Sequence, residues 1–308
     1  MKSQVKDALV SLTFPWLFMS ISARHIPQTV RELVSRRQWA TLLSPEGFNE
    51  ALFGNFWATV GPDVKLNASE RVLPLLEGRV RNGVVTCSDD DGAIAGPPVR
   101  GRVIEVGAGS GMWADVFAHI RSKTSHGGPE AEGLRKRQTS GGDAGLTRIY
   151  GVEPNPQSAE SLRRRVADVG LGDIYEVIPL GIESLSDPHA WEGTTIEPES
   201  IDCIVSVLCL CSIPDQEDNI KALYKLLKPG GTWYVYEHVR AQRGGILLSI
   251  YQRIVNAAWS FFVGSCRLCK PTGVNLLNAG IWSEVDITQP PDEPSYKVLP
   301  HILGTLTK

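Results

Sequence analysis

The sequence predicts an α/β fold: a doubly wound, seven-stranded, mostly parallel sheet behind an N-terminal helical lid. After residue 99, short apolar runs alternate with helical patterns, which is typical of a parallel sheet with helices on its faces. A glycine-rich turn follows the first of these runs. The preceding residues show helical patterns instead. We therefore divide the 308 residues into a helical lid at 1–98 and a main domain at 99–308.

Seven apolar runs give the predicted strands, which lie at 102–106, 148–152, 174–180, 201–210, 232–236, 283–288 and 297–307. Helical patterns separate the first five strands, at 113–122, 158–169, 183–190 and 216–227, and another lies at 246–263. Only a proline-rich connection joins the last two strands, so they are predicted to pair antiparallel.

The N-terminal part is predicted to be helical at 29–43, with Ser44-Pro45-Glu46-Gly47 ending that helix, and again around 73–76. Residues 8–21 are mostly apolar but too few to span a bilayer, which needs about 20 residues in a helix. They are open to three interpretations: a short signal peptide, an interfacial amphipathic helix on a membrane surface, or a helix packed on the domain.

Residues 122–147 break the alternation, because they contain few apolar side chains among glycines and charges. Such a composition does not bury enough surface to offset the entropy of ordering. We predict a flexible surface insertion there.

The composition limits the classes of partner and the cellular compartment that fit this chain. The 31 basic and 34 acidic residues give a net charge of −3, so no overall basic field favours nucleic acid. Six cysteines are too few for a disulfide scaffold and indicate a reducing, cytoplasmic compartment. Cys266 and Cys269 form one C-x-x-C pair without a second pair or a histidine at zinc spacing, so no metal is predicted.

The strongest motif is the strand-to-turn sequence Glu105-Val106-Gly107-Ala108-Gly109-Ser110-Gly111. Glycines let the chain turn sharply and let a ligand lie against main-chain N–H groups. A dinucleotide fingerprint would place its last glycine at Met112 and does not require an acid at Glu105. An acid at the strand tip instead suits a cationic group, such as the ammonium of a methionine moiety.

This turn resembles the first motif of class I S-adenosylmethionine-dependent methyltransferases, which have a Rossmann-like fold. Residues 150–155 resemble the end of that fold's second strand, 181–185 its adenine turn, 201–208 its fourth strand, and 227–231 the turn before its fifth. The resemblance implies S-adenosyl-L-methionine as the cofactor. It implies that the cofactor contacts Glu105, Gly107, Ala108, Gly109, Gly111, Glu153, Pro154, Asn155, Ile182, Glu183, Val207 and Leu208.

A narrower resemblance covers about residues 100–308. The segments that carry it lie at 208–212, 236–239 and 300–302, together with the helix around Trp259 and the segment at Cys266. They are similar to the methyltransferase-like family that includes alkyl thiol methyltransferases. The resemblance implies a small, largely apolar acceptor, with a thiol favoured and a hydroxyl or amine of a natural product left open. That family carries an N-terminal membrane-anchoring segment, which would make residues 8–21 an interfacial anchor.

Ligands of open α/β sheets bind at the carboxyl ends of the strands. This rule places Cys211, Ser212, Asp215, Glu237 and His238 opposite the methyl group, and His238 and Asp215 are our catalytic candidates. Two interpretations of His238 are open. It is either a general base or the partner of a thiolate, or it is a strand-end histidine that hydrogen-bonds to the backbone. Cys211 is read first as a small buried residue that closes the strand.

Aromatic side chains in the first sixty residues are numerous enough to form a lid or a core: Trp16, Trp39, Phe48, Phe53, Phe56 and Trp57. Two other functions stay open at this stage. The chain could bind the cofactor without transferring methyl, or serve as the non-catalytic partner subunit of another enzyme.

Overall fold

The computed structural model describes residues 2–86, 95–125, 145–185, 187, 190 and 196–308. The helices are Lys2–Arg24 (α1), Ile26–Ser35 (α2), Trp39–Leu43 (α3), Pro45–Leu76 (α4), Ala114–Ser125 (α5), Pro156–Asp168 (α6), Gln216–Leu226 (α7), Gly245–Phe262 (α8) and Thr272–Leu277 (α9). The strands are Val80–Arg81 (β1), Val84–Val85 (β2), Gly101–Val106 (β3), Leu146–Val152 (β4), Tyr175–Ile178 (β5), Ile201–Val207 (β6), Leu227–His238 (β7), Glu284–Thr288 (β8) and His301–Thr307 (β9).

The main sheet has the order β5-β4-β3-β6-β7-β9-β8, with seven strands among the described residues. The pairs from β5 to β7 are parallel, whereas β9 pairs antiparallel with both β7 and β8. This topology confirms the predicted doubly wound, mostly parallel sheet and its antiparallel end. The short hairpin of β1 and β2 was not predicted.

Alternate strand residues pack on opposite faces of the sheet. Val103 and Val205 contribute to one core cluster, and Ile104 and Ile204 to another. Helices α5 and α6 and the end of α4 cover the first face, whereas α7 and α9 cover the second. Residues before position 98 therefore supply part of the main core as well as the lid.

The N-terminal helices differ most from the prediction. Ser44-Pro45-Glu46-Gly47 ends the preceding helix as predicted, since α3 stops at Leu43, but it also begins the 32-residue helix α4, which was not predicted. The Ser44 Oγ accepts a hydrogen bond from the Gly47 N–H at 3.2 Å, and Pro45 occupies the first turn, where its missing N–H is tolerated. The predicted helix at 29–43 is instead two helices, interrupted at Arg37, whose φ is 56°.

Several other boundaries shift. The strand predicted at 201–210 ends at Val207, because Leu208 adopts a left-handed φ of 53°, and the strand predicted at 232–236 extends over 227–238. At 183–190 only a single 3₁₀ turn, Ile182–Ser184, is present among the described residues.

The predicted insertion at 122–147 is too wide at both ends. Residues 122–125 complete α5, and 146–147 begin β4. Positions 126–144 lie outside the described residues, so the predicted flexibility stays a prediction.

Helix α1 packs against α8. The Trp16 indole N–H donates to the Tyr251 hydroxyl at 2.8 Å, the Ser22 hydroxyl donates to the Phe262 carbonyl at 2.6 Å, and Phe18 stacks on Trp259. These contacts agree with the third interpretation of residues 8–21, a helix packed on the domain. Among the described helices, none combines the length and hydropathy needed to cross a bilayer. Contact of residues 8–21 with a membrane surface stays a prediction.

A buried carboxylate ties the lid to the sheet. Glu293 accepts hydrogen bonds from Arg71 of α4 at 3.2 Å, from Lys297 at 2.7 Å, and from the backbone and ring of His301. Burial opposes ionisation of this carboxyl, but its cationic partners lower its pKa to about 2. The network holds α4 over the carboxyl ends of the strands, where the candidate site lies.

Candidate active site

The three glycines of the turn after β3 have different roles, and all three have positive φ. A Cβ on Gly107 would lie 2.6 Å from the Cβ of Cys209, and one on Gly111 would lie 2.9 Å from Arg165 of α6. Both glycines therefore permit close packing. A Cβ on Gly109 would meet nothing within 4 Å. Gly109 thus faces open space, as a backbone that receives a ligand must.

Glu105 lies at the end of β3 with its side chain buried. Its Oε2 accepts a short hydrogen bond from the Tyr175 hydroxyl, and its Oε1 has no partner among the described residues. Burial raises the pKa of Glu105 to about 7, although the bond from Tyr175 opposes that rise. One oxygen of this buried carboxyl is therefore left without a hydrogen-bond partner among the described residues.

Tyr175 is a site residue that the sequence analysis missed. Its ring passes over Gly151, where a Cβ would lie 2.3 Å from the hydroxyl oxygen. Only a glycine at 151 lets the hydroxyl reach Glu105. The sequence Tyr-Gly-Val-Glu at the end of β4 contains this signal, but the tyrosine that uses it lies on the neighbouring strand β5.

Glu153 holds the glycine turn from the end of β4. Its Oε2 accepts from the Gly109 N–H at 2.9 Å, and its Oε1 accepts from the Asn155 N–H at 2.9 Å. Burial raises its pKa, against these two bonds. Beyond Pro154, the Asn155 side chain caps α6 by accepting from Gln157 and Ser158. The predicted pair Glu105 and Glu153 is thus brought to one end of β3 and β4.

The remaining predicted cofactor residues lie around this turn. The Ala108 N–H donates to the Val152 carbonyl at 3.0 Å, and the Leu208 N–H donates to the Tyr236 carbonyl at 2.8 Å. Ile182 packs into the core, so its backbone rather than its side chain is available to a ligand. Glu183 is exposed and Val207 is buried.

Glu237 fixes the turn that follows β6. One of its oxygens accepts from the backbone N–H groups of Cys209 and Leu210, both at 3.1 Å. Its other oxygen is buried without a partner among the described residues. Burial and the neighbouring Cys211 sulfur raise the pKa of Glu237 to about 8. The Glu237 carboxyl thus holds the two residues that follow the left-handed Leu208, just before Cys211.

Cys211, His238 and Cys266 form a buried thiol–imidazole cluster. The His238 Nε2 lies 3.1 Å from the Cys266 sulfur, and the Trp259 indole N–H donates to that sulfur at 3.2 Å. The hydrogen bond from Cys266 and the adjacent His238 lower the pKa of the Cys211 thiol. The His238 side chain is thus bonded to sulfur rather than to backbone, and Cys211 does more than close a strand.

Asp215, the other predicted catalytic residue, lies apart from this cluster. It is exposed at the start of α7, with a φ of 39°, and its carboxylate makes no capping bond there. Its charge acts on Lys270, whose ammonium donates to the Ile213 carbonyl. The structure therefore brings His238 into a cluster and leaves Asp215 at its margin.

The lid packs directly on the thiol–imidazole cluster. Cys211 and Cys266 share an apolar cluster with Phe56 of α4 and with Trp259 and Val263 of the α8 region, and further lid aromatics pack against it: Phe18, Phe53 and Trp57. Other lid aromatics, Trp16 and Trp39, are about half exposed. The sulfur and imidazole groups thus face an apolar surrounding.

The model of a family described as a methyltransferase domain matches residues 83–265. This match covers more than half of the chain. The chain belongs to the methyltransferase-domain family. Its doubly wound sheet is the Rossmann-like class I fold of such domains.

Curated relatives of this methyltransferase-domain protein include thiol S-methyltransferase TMT1B from Homo sapiens, 32% identical over 162 residues, or 52% of this chain and 62% of that protein. TMT1B from Rattus norvegicus is 28% identical over 158 residues, or 51% and 61%. The matches thus span about three fifths of these relatives. Among solved structures, geranyl diphosphate C-methyltransferase from Streptomyces coelicolor A3(2) is 12% identical, with 67% and 69% of the two chains covered and a TM-score of 0.42.

Proposed function

We propose that this chain transfers a methyl group from S-adenosyl-L-methionine to a small, largely apolar thiol. The observation that carries the proposal is the arrangement of two sites at one edge of the sheet. A glycine turn with two buried acids lies beside a thiol–imidazole cluster that aromatic side chains cover. The thiol S-methyltransferases among the relatives support the choice of acceptor.

The residues present fit the cofactor. The open side of Gly109 receives the main body of the ligand, and the free oxygen of Glu105 pairs with its ammonium group. Glu153 accepts from the ribose hydroxyls, with Pro154 and Asn155 beside it. The backbone at Ile182 and Glu183 borders the adenine. When bound, the cofactor would supply a methyl group on a cationic sulfur: an acceptor bonds to the methyl carbon in line, and the sulfur leaves as a neutral thioether.

The acceptor sits between the ends of β6 and β7 and the lid. Holding two reactants collinear contributes about 7–11 kcal/mol to such a displacement. A free thiol, with a pKa near 8.5, is already a few per cent thiolate at neutral pH, so a dedicated base is not required. We keep His238 as the catalytic candidate beside the acceptor, whereas Asp215 is exposed and lies outside the thiol–imidazole cluster.

Cofactor affinity is expected to rise between pH 5.5 and 7.5. Glu105 has a pKa of about 7 in the free protein, and only its ionised form pairs with an ammonium group. Protonation below that pH therefore opposes binding, and affinity increases as the carboxyl ionises. With a pKa of about 7.7–8.0, an α-amino group is still more than half protonated at pH 7.5, so the ionisation of Glu105 dominates the profile. Calorimetric titration with S-adenosylhomocysteine measures the profile.

Two control experiments test whether the pH dependence of affinity comes from Glu105. In Tyr175→Phe the hydrogen bond that lowers the pKa is lost, so the midpoint should move to higher pH. A deaminated analogue of the ligand should show no rise. A flat profile for the normal ligand in the unmodified protein contradicts the pairing of Glu105 with its ammonium.

A panel of acceptors tests the proposed function. Small alkyl thiols, phenols and amines of similar size are incubated with methyl-labelled cofactor, and methylated product and S-adenosylhomocysteine are quantified. We expect equimolar products, with thiols methylated faster than phenols or amines. Cofactor binding without product from any acceptor class favours a binding protein. Product only in the presence of a co-purifying homologue favours a partner subunit.

A further inference from the structure

The thiol–imidazole cluster has the composition and spacing of a metal site. The ends of β6 and β7 and the segment after α8 bring together one ligand atom each from Cys211, His238 and Cys266, all within 4.8 Å of one another. All three side chains are buried. Two thiolates and one imidazole form a ligand set that binds zinc with a fourth position left open.

We propose that Cys211, His238 and Cys266 bind one zinc-class divalent cation, and that its fourth position takes the sulfur of the acceptor. The second half of this proposal rests on the proposed function, and the first half does not. It also reverses the expectation, drawn from the sequence, that the chain has no metal site.

The spacing suits tetrahedral coordination. Zn–S bonds of about 2.3 Å and Zn–N bonds of about 2.0–2.1 Å place neighbouring ligand atoms about 3.6–3.8 Å apart. The 3.1 Å between His238 Nε2 and the Cys266 sulfur lies just below that range, and no pair exceeds 4.8 Å. Binding of an ion in this geometry would require His238 Nε2 and the Cys266 sulfur to separate by about 0.5 Å.

Two buried polar atoms of residues in or beside the cluster have no hydrogen-bond partner among the described residues. The Nδ1 of His238 is buried and makes no hydrogen bond among the described residues, and the same is true of one oxygen of Glu237. An imidazole that binds a metal through Nε2 usually donates its Nδ1–H to an outer acceptor; His238 has no such acceptor among the described residues, so only its Nε2 is held. The Trp259 N–H, which donates to the Cys266 sulfur, suits a metal-bound thiolate.

The cluster lies close to the cofactor turn, so an ion bound there would be near the methyl group. Cys209, two residues before Cys211, packs against Gly107 of the cofactor turn. An acceptor thiol that binds the ion loses its proton to solvent, because a coordinated thiol is deprotonated. Its sulfur then forms a bond to the methyl carbon as the bond to the cationic sulfur breaks. The neutral thioether leaves, and water takes the open position.

The C-x-x-C spacing itself is not the metal site. Cys269 is half-buried, and its sulfur lies 4.0 Å from the Gln252 side-chain oxygen, outside the cluster. Cys269→Ser is therefore a matched control for Cys211→Ser and Cys266→Ser. Each changes one thiol to a hydroxyl, but only two of the three remove a proposed ligand.

Cobalt(II) titration of the full chain tests the site. The protein is reduced, stripped with a chelator and titrated with Co²⁺ while its absorbance is recorded. We expect one ion per chain, with thiolate-to-cobalt bands. Cys211→Ser and Cys266→Ser should weaken binding more than about 100-fold, because even loss of an outer-shell partner weakens metal binding about 10–100-fold. Cys269→Ser should bind as the unmodified chain does.

Far-ultraviolet circular dichroism shows that each variant is folded, independently of any cofactor binding. His238→Gln, which removes the third ligand without removing a thiol, should weaken Co²⁺ binding as the cysteine variants do. Each of three results would overturn the site. The reduced protein binds no stoichiometric ion, or Cys211→Ser and Cys269→Ser bind Co²⁺ with equal affinity. The third is a Cys211–Cys266 disulfide in the isolated protein whose reduction gives no cobalt spectrum.

A small alkyl thiol separates the two halves of the proposal. Added to the cobalt form, it should shift the thiolate bands. A bound ion with no shift, or thiol methylation at an unchanged rate after stripping, overturns the role of the ion in the reaction and leaves the proposed function standing. A bound ion and a shift without methylation of any thiol overturn the proposed function and leave the site standing.

Discussion

Glu153→Gln is expected to weaken binding of S-adenosylhomocysteine at least about 100-fold while the fold is retained. The carboxylate accepts from the Gly109 N–H and, in the proposed complex, from two ribose hydroxyls. Hydrogen bonds to a charged group contribute about 1.5–3 kcal/mol each. The amide keeps one acceptor oxygen, so one such bond is lost and the other loses its charge; together this removes about 3 kcal/mol, which corresponds to about 100-fold in affinity. Isothermal titration calorimetry measures the change.

Glu160→Gln is the matched control for this substitution. Glu160 lies on α6, half exposed, and among the described residues it pairs only with Arg163 and Arg164 of the same helix. Its replacement should change affinity less than about twofold. If folded Glu153→Gln binds nearly as tightly as Glu160→Gln, the ribose does not lie on Glu153.

Gly109→Asp is expected to abolish cofactor binding. The open space beside Gly109 is the space we assign to the ligand, so a side chain there displaces it. The added carboxylate would also lie near Glu153, whose ionisation burial already opposes. Aspartate tolerates the left-handed backbone better than most residues, so the protein should still fold. Calorimetry and far-ultraviolet circular dichroism measure binding and folding separately.

Gly170→Asp controls for backbone strain. Gly170 follows α6 with a φ of 73°, and its Cβ would also meet nothing within 4 Å. It is remote from the turn after β3. Any effect of a left-handed aspartate on stability should appear in both variants, whereas the loss of binding should appear only at 109. Unchanged affinity in folded Gly109→Asp would place the ligand elsewhere.

The parts of the fold that the sequence predicted are those with a local pattern. Apolar runs such as 102–106 and 148–152 predict strands because a buried parallel strand needs apolar side chains on both faces. Glycines 107, 109 and 111 predict the turn because their backbone conformation requires them. Glu105 and Glu153 could be named because each stands at the end of such a strand.

The parts that were missed depend on contacts between distant residues. Helix α4 has two internal prolines, at 62 and 74, and a start signal that equally marks a turn, so local pattern favoured a break. Tyr175 was missed because its contact with Glu105 spans the intervening strand β4. Cys266 lies 55 residues after Cys211, and nothing in its C-x-x-C spacing indicates that His238 and Cys211 are its partners.

A crystal structure of the chain with S-adenosylhomocysteine tests the central claim most directly. The measurement is the position of the ligand's sulfur relative to the two sites. We predict the ribose hydroxyls on Glu153, the ammonium toward Glu105, and the sulfur directed toward the turn at 208–211 and the cluster of Cys211, His238 and Cys266. A ligand bound at this edge with its sulfur directed away from that cluster, or bound elsewhere on the sheet, contradicts the account.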